Sequence, residues 1–302
     1  MRQAAAKILM VRPAHFGFDP STAVTNSFQQ SDGAEQQHSI QQLAIDEFNK
    51  AVNKMRTHGI DVVVVDDTDE PKKPNAVFPN NWVSFHDGRV ILYPMLAENR
   101  RWERRVDLLD QLVDEGVPVN EIIDISRFEE ENKFLESTGS VVIDYENDLA
   151  YACLSSRTHR DVLDKLCEIN GYEPVLFESF NVDGLAVYHT NVVMCIASKY
   201  AVICAESIKV DQRFDVIRTL QETGHNVVEI TMEQMYHFAG NMLEVLNDAE
   251  NSTLIMSQTA YDSLTDFQIE ILSNYSEIIT VNIPTIEKYG GGSVRCMMCR
   301  VL

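Results

Sequence analysis

The sequence predicts an α/β fold of about five repeated strand–strand–helix–strand units, closed into a five-bladed propeller. Three observations predict it. Short apolar strands bounded by turn residues alternate with amphipathic helical stretches along all 302 residues. The unit's first strand begins near 81, 141, 191, 241 and 296, so it recurs roughly every 50 to 60 residues. The last piece, Cys296–Leu302, lacks a second strand, and Lys7–Val11 can supply one from the other end of the chain. The whole of 1–302 then forms one domain, with the N- and C-terminal strands closing one blade. A ring removes sheet edges and brings the heads of the first strands together. An open αβ sandwich is the alternative, and it scatters them.

The elements follow in order. After Lys7–Val11 come a helix over Gln37–Thr57 and a strand over Asp61–Val65. Asn81–Phe85 turns at His86-Asp-Gly88 into Arg89–Tyr93, followed by a helix-like stretch near Glu98–Glu115. Val141–Tyr145 turns at Glu146–Asp148 into Leu149–Leu154, then helix Thr158–Asn170 and strand Pro174–Phe177. Asn191–Ile196 turns at Ser198-Lys199 into Tyr200–Cys204, then helix Asp211–Thr223 and strand Asn226–Ile230. Met242–Leu246 turns through Asn247–Ser252 into Thr253–Met256, then helix Tyr261–Asn274 and strand Ile278–Val281. The strand heads are Asn81, the Ser140 region, Asn191, Asn241 and Cys296.

Composition narrows the function. Apolar residues make up 45% and charged residues 24%, the profile of an ordinary globular protein. Lys and Arg total 25 against 46 Asp and Glu, a net charge of −21. That balance repels phosphate backbones and anionic bilayers, so neither nucleic acid nor a membrane surface is an expected partner. No stretch approaches the ~20 apolar residues of a membrane span, and Ala4–Val11 reads as the approach to a strand, not as a secretory leader. Six cysteines, mostly inside apolar runs, do not make a disulfide framework, and a reducing cytoplasm fits them. Cys296-Met-Met-Cys299 has CxxC spacing, but no second pair or nearby histidine completes a metal site. A homo-oligomer is compatible with the sequence.

The stretch Gly290–Cys296 carries the first chemical signal. A glycine run lets backbone approach a ligand closely, and it delivers a cysteine at the head of the last strand. Cys296 so placed is either a nucleophile activated by a base from elsewhere or buried filler of an edge strand.

The chain resembles the guanidino-group-modifying, or pentein, superfamily of arginine deiminases, dimethylargininases and glycine amidinotransferases, and looks closest to the bacterial citrulline-hydrolysing branch. The motifs are Met10–Pro13, Phe78-Pro-Asn-Asn-Trp82, Leu135-Glu-Ser-Thr-Gly-Ser140, Ser155–Thr158, Val187-Tyr-His-Thr-Asn191 and Gly290–Cys296. The resemblance implies a pentein fold, with Cys296 as nucleophile, His189 as general acid and base, and Glu136 as the carboxylate that orients it. It also implies that Arg157 grips the substrate α-carboxylate, with Arg100 or Arg101 assisting. Arg12 and Asn26 are expected at the entrance, and Asn241 as a further polar contact.

One departure bears on the substrate. Where deiminases and amidinotransferases meet the guanidinium with two carboxylates, this sequence has Asn81 and Asn191. A guanidinium buried against two amides keeps an unmatched charge, whereas a ureido group offers a carbonyl acceptor and N–H donors that amides match. The expected reaction is therefore hydrolysis of citrulline to ornithine, ammonia and carbon dioxide through a covalent thiol intermediate, with no metal or organic cofactor. A guanidine hydrolase or an amidinotransferase is the alternative, in which Asp66, Asp67 or Asp183 supplies a missing carboxylate.

Overall fold

The computed structural model describes residues 1–31 and 37–301. Strand β1 (Lys7–Arg12) forms the middle of a three-stranded sheet. It pairs in parallel with β2 (Asp61–Asp66) and antiparallel with β15 (Cys299–Val301), Leu9 lying opposite Cys299. The two ends of the chain thus share one sheet, as the sequence predicts.

Four more sheets repeat this pattern. They consist of β3 (Val83–His86), β4 (Arg89–Leu92) and β5 (Glu121–Asp124); β6 (Val142–Asp144), β7 (Leu149–Cys153) and β8 (Glu173–Phe177); β9 (Met194–Ile196), β10 (Tyr200–Ile203) and β11 (Asn226–Glu229); and β12 (Leu243–Leu246), β13 (Ser252–Ser257) and β14 (Glu277–Val281). In each, the middle strand runs antiparallel to the first and parallel to the third. The antiparallel step needs only a tight turn. Between β3 and β4 it is Asp87-Gly88, both with positive φ (50° and 79°), the pairing whose twist matches a hairpin. The parallel step needs a crossover, and a helix supplies it. Helix Arg160–Asn170, for example, buries Val162, Leu163, Leu166 and Cys167 as one stripe, starts at His159 and stops where Gly171 turns left-handed. Each leucine so buried contributes roughly 1.5–3 kcal/mol.

Neighbouring sheets touch through their first strands: β15 packs on β3, β6 on β9, and β9 on β12. Ala5 bridges Val245, which joins the first sheet to the fifth.

Four expectations need correction. The helix-like stretch expected near Glu98–Glu115 is a 3₁₀ segment, Glu98–Glu103, followed by a helix over Asp107–Asp114. The helix expected over Tyr261–Asn274 is two, Gln258–Ser263 and Asp266–Ser273, because Thr265 and Gln268 form a capping box that starts a new helix. The first unit has a third strand, β5, which the sequence reading did not mark; it is mostly exposed and carries no apolar alternation along its length. The residues expected to head the first strands sit in short turns before them. Asn81 ends the 3₁₀ turn Pro79–Asn81, Ser140 ends Ser137–Ser140, and Asn191 and Cys296 lie inside Thr190–Val193 and Val294–Met297. A helical turn rotates successive side chains by about 100°, whereas an extended strand only alternates them between two faces.

Among the described residues no helix is long and apolar enough to cross a membrane. All six cysteines are buried and unpaired.

Candidate active site

These turns gather the predicted residues at one place. Cys296 is 3% exposed, and its Sγ lies 3.4 Å from both Asn191 Nδ2 and Asn241 Nδ2. Asn241 is fixed in turn: its Nδ2 also donates to Asn191 O (2.8 Å), and its Oδ1 accepts from Arg295 N (3.1 Å). The turn that carries Asn241 is tight, because a Cβ at Gly240 would lie 2.3 Å from Val192 O. Two side-chain amide N–H groups are thus aimed at one sulfur.

His189 precedes the turn Thr190–Val193, and its Nε2 is 2.8 Å from Glu136 Oε2. Glu136 is fully buried at the head of Ser137–Ser140, where Ser137 holds a positive φ of 42°. Its backbone N–H donates to Ser140 Oγ (2.9 Å), closing the loop. Burial pushes the Glu136 carboxyl up, but Arg157, the His189 hydrogen bond and Arg100 outweigh it and hold the group well below the usual carboxylate range. Burial drives the His189 imidazole down, Glu136 pulls it partly back, and it settles at about 4. At neutral pH the pair is therefore a carboxylate beside a neutral imidazole, ready to accept a proton.

Two arginines complete the wall. Arg157 donates from Nη1 to Glu136 (3.3 Å), from Nη2 to Thr22 O (3.0 Å) and from both Nε and Nη2 to Thr25 Oγ1, and its guanidinium lies over the Tyr188 ring at 5.1 Å. Arg100 makes a two-pronged pair with Glu103 (2.9 and 2.8 Å) and donates to Asn81 Oδ1 (3.0 Å). Burial raises the Glu103 carboxyl, while its contact keeps Arg100 charged.

The cleft in front of Cys296 is narrow, about 270 Å³ including its open mouth. Asn81, Arg100, Arg157, His189, Cys296 and the glycines 290–292 line it, together with Asn26, Phe78 and Tyr188. Gly291 O anchors both Tyr188 Oη (2.6 Å) and Asn26 Nδ2 (3.0 Å). Gly139 lets the wall close: a Cβ there would lie 2.4 Å from Asn81 Nδ2 and 2.9 Å from the His189 ring.

The sequence-derived candidates thus divide. Cys296, His189, Asn81, Arg157, Arg100 and Asn26 reach the cleft, and Glu136 stands behind His189. Asn191 and Asn241 stand behind the thiol and hold it instead of lining the cleft. Arg12 does not reach the site; it pairs with Asp66 at the surface and with Asn49. Arg101 turns to Glu129 (3.3 Å). None of Asp66, Asp67 and Asp183 lines the cleft, and Asp67 is committed to Lys73 (3.2 Å). Glu103 and Asp19 also stand at the site, outside every motif. Glu103 was detectable as the i+3 partner of Arg100; Asp19, buried and accepting from Asn75 Nδ2 (2.7 Å) and Asn99 Nδ2 (2.8 Å), left no local signal. Among the described residues no group of three His, Cys, Asp or Glu side chains is placed to hold a metal ion.

Residues 12–302 match the family described as N,N dimethylarginine dimethylhydrolase, eukaryotic. No curated protein matches the chain by sequence. Solved structures share its fold at low identity. The N-terminal domain of the cyanobacterial arginine dihydrolase ArgZ, bound to product, superposes with a TM-score of 0.76 at 17% identity, covering 98% of this chain and 97% of that one. The chain spans only 40% of the longer ArgZ chain. AgrE in complex with L-arginine gives 0.75 at 16% identity, covering 98% of this chain and 40% of AgrE. A dimethylarginine dimethylaminohydrolase variant carrying an S-methyl-L-thiocitrulline adduct gives 0.67 at 18% identity, covering 98% and 99%.

Proposed function

The chain belongs to the N,N-dimethylarginine dimethylhydrolase family, within the guanidino-group-modifying superfamily, and from that premise we propose that it is a thiol-dependent hydrolase of a C–N bond in the guanidino group of an arginine-like amino acid. The observation that carries this reading is Cys296 Sγ held by two amide donors in a cleft that the His189–Glu136 pair also serves. Similar folds that bind L-arginine or an S-methyl-L-thiocitrulline adduct support the substrate class.

The steps balance with water alone. The Cys296 thiolate adds to the guanidino carbon, and His189, carrying the thiol proton, protonates the departing amine. A thiouronium-type adduct remains on Sγ. His189 then takes a proton from water, the hydroxide adds to the same carbon, and the C–S bond breaks to leave a ureido product and free thiol. Glu136 stabilises the imidazolium at both stages. The walls suit a cationic substrate even though Asn81 and Asn191 stand where carboxylates are expected. Three carboxyl groups, Asp19, Glu103 and Glu136, stand around Arg100 and Arg157, and Glu136 is held as a carboxylate.

A second reading keeps the ureido substrate, alone or as the product of the first round. Asn81 Oδ1 is occupied by Arg100, while Asn81 Nδ2 is a buried donor without a partner on the cleft wall. A ureido carbonyl oxygen accepts from such a donor, and a guanidinium has no acceptor to offer. We take the five sheets as blades of a closed ring, the chain as one catalytic unit, and a reducing cytoplasm as its compartment.

The test is amine release and product identity with L-arginine, N,N-dimethyl-L-arginine and L-citrulline supplied separately. Turnover of either guanidine, cut roughly 10⁴-fold or more by Cys296→Ser, is the expected result. Ornithine from citrulline with no guanidine turnover would replace the main reading by the second. Full activity in Cys296→Ser would end the thiol mechanism.

A further inference from the structure

A second cavity, about 400 Å³ counting its open end, is reached by the turn Val294–Met297 and shares no lining residue with the cleft. Arg295, next in sequence to the thiol, lines it, as do Arg300 and Asn191. Among the described residues no Asp or Glu lines it, although the chain carries 46 of them. Neither arginine makes an ion pair among the described residues, in contrast to Arg100 and Arg157.

Arg300 is 4% exposed, and its guanidinium carbon lies over the Tyr145 ring, 3.6 Å from the centroid. One nitrogen donates to Arg2 O (2.8 Å); Nε and Nη1 are buried without a hydrogen-bond partner. Arg295 is 8% exposed and donates from Nη1 to Met298 O (2.8 Å). Its charge is opposed first by desolvation; the groups facing it are the Cys296 and Cys299 thiols, the Tyr145 phenol and the Arg300 cation. His86, tilted against Tyr145 at 6.1 Å, is driven down to about 3 by burial and then by Arg300 and Arg89.

Two buried guanidinium groups and two unused N–H donors in one wall lack an anion. We infer that this cavity is a binding site for a small monovalent anion, held by Arg300 and Arg295. Two adjacent unpartnered N–H donors of one planar guanidinium suit a halide or a one-carbon oxyanion such as bicarbonate. Occupancy there is felt at the thiol, because Arg295 N–H fixes Asn241, whose Nδ2 points at Cys296 Sγ.

The experiment compares melting of the full chain in sodium gluconate, chloride and bicarbonate at one pH and ionic strength. Chloride or bicarbonate raises Tm by at least about 2 °C over gluconate, and Arg300→Gln loses that rise. A rise with chloride alone assigns a halide; a rise with bicarbonate alone assigns a one-carbon oxyanion. Equal melting in all three salts, or a full rise in Arg300→Gln, overturns the proposal. Should that variant fail to fold, the wild-type crystal structure grown in bromide and in bicarbonate decides: density beside Arg295 and Arg300 supports the site, and an empty cavity in both overturns it.

Discussion

The cleft in front of Cys296 and the cavity behind it are built from the same kind of residue and differ in how charge is matched. In front, Arg100 and Arg157 deliver their donors into Glu103 and Glu136 before any ligand arrives. Behind, Arg295 and Arg300 are also buried, and among the described residues no Asp or Glu lines the wall. A buried arginine that is already paired serves the scaffold; one that is unpaired awaits a ligand. Arg157 illustrates the first case. The sequence casts it as a clamp for the substrate carboxylate, yet all three of its nitrogens have partners inside the protein.

The largest test of this contrast is Glu136→Gln, which makes the front resemble the back. Arg157, Arg100 and His189 then lose a shared negative partner. Removing one member of a buried pair costs about 3–5 kcal/mol, measured by urea denaturation. Turnover falls about 10²–10⁴-fold in the amine-release assay, because the imidazolium loses its counter-charge. Wild-type stability in that variant would break the claim that matched charge holds the front together. A smaller effect follows from Gly139→Ala. Its methyl would lie 2.4 Å from Asn81 Nδ2 and 2.9 Å from the His189 ring, so both must move. Turnover should drop by roughly 10²-fold while the melting temperature changes little, because the displacement is local. Unchanged kcat/KM would mean that the position of His189 is not critical.

Much of this arrangement was legible in the sequence, and what was not has physical causes. The strands showed because their residues are apolar and bounded by turn formers, and β5 escaped because Glu121 and Ile122 lie on the surface, where alternation is not enforced. Cys296, His189 and Glu136 could be named from their motifs, and the structure brings them together. The partition into front and back could not be read, since it depends on which way each short turn aims its side chains. Asn81 and Asn191 occupy matching places in two repeats, yet Asn81 lines the cleft while Asn191 lines the rear cavity. Glu103 and Asp19 were missed because the charge they balance comes from distant parts of the chain or from a solvated-looking helix face.

The finest test sets the two buried histidines against each other. Burial lowers His189, in front, from 6.5 to about 4 and His86, near the rear cavity, to about 3. Both groups are neutral in the folded chain and take up a proton on unfolding below about pH 6.5. Their contributions are therefore fully present above that pH and are lost as it falls, through about 4 in front and about 3 behind. Glu136 runs in a lower window: its carboxyl is held below the ordinary value of 4.5, so its stabilisation persists above that value and fades only beneath it. Between pH 6.5 and 5 the two histidines act without it, each costing up to about 1.4 kcal/mol per pH unit. Urea denaturation of His86→Gln and His189→Gln across that window should show a shallower loss of stability than wild type. Below pH 4 the curves separate, because only His86 still has a proton to gain. A wild-type slope in His86→Gln would mean that this imidazole is already protonated in the fold, and that an anion close to Arg300 and His86 balances both charges.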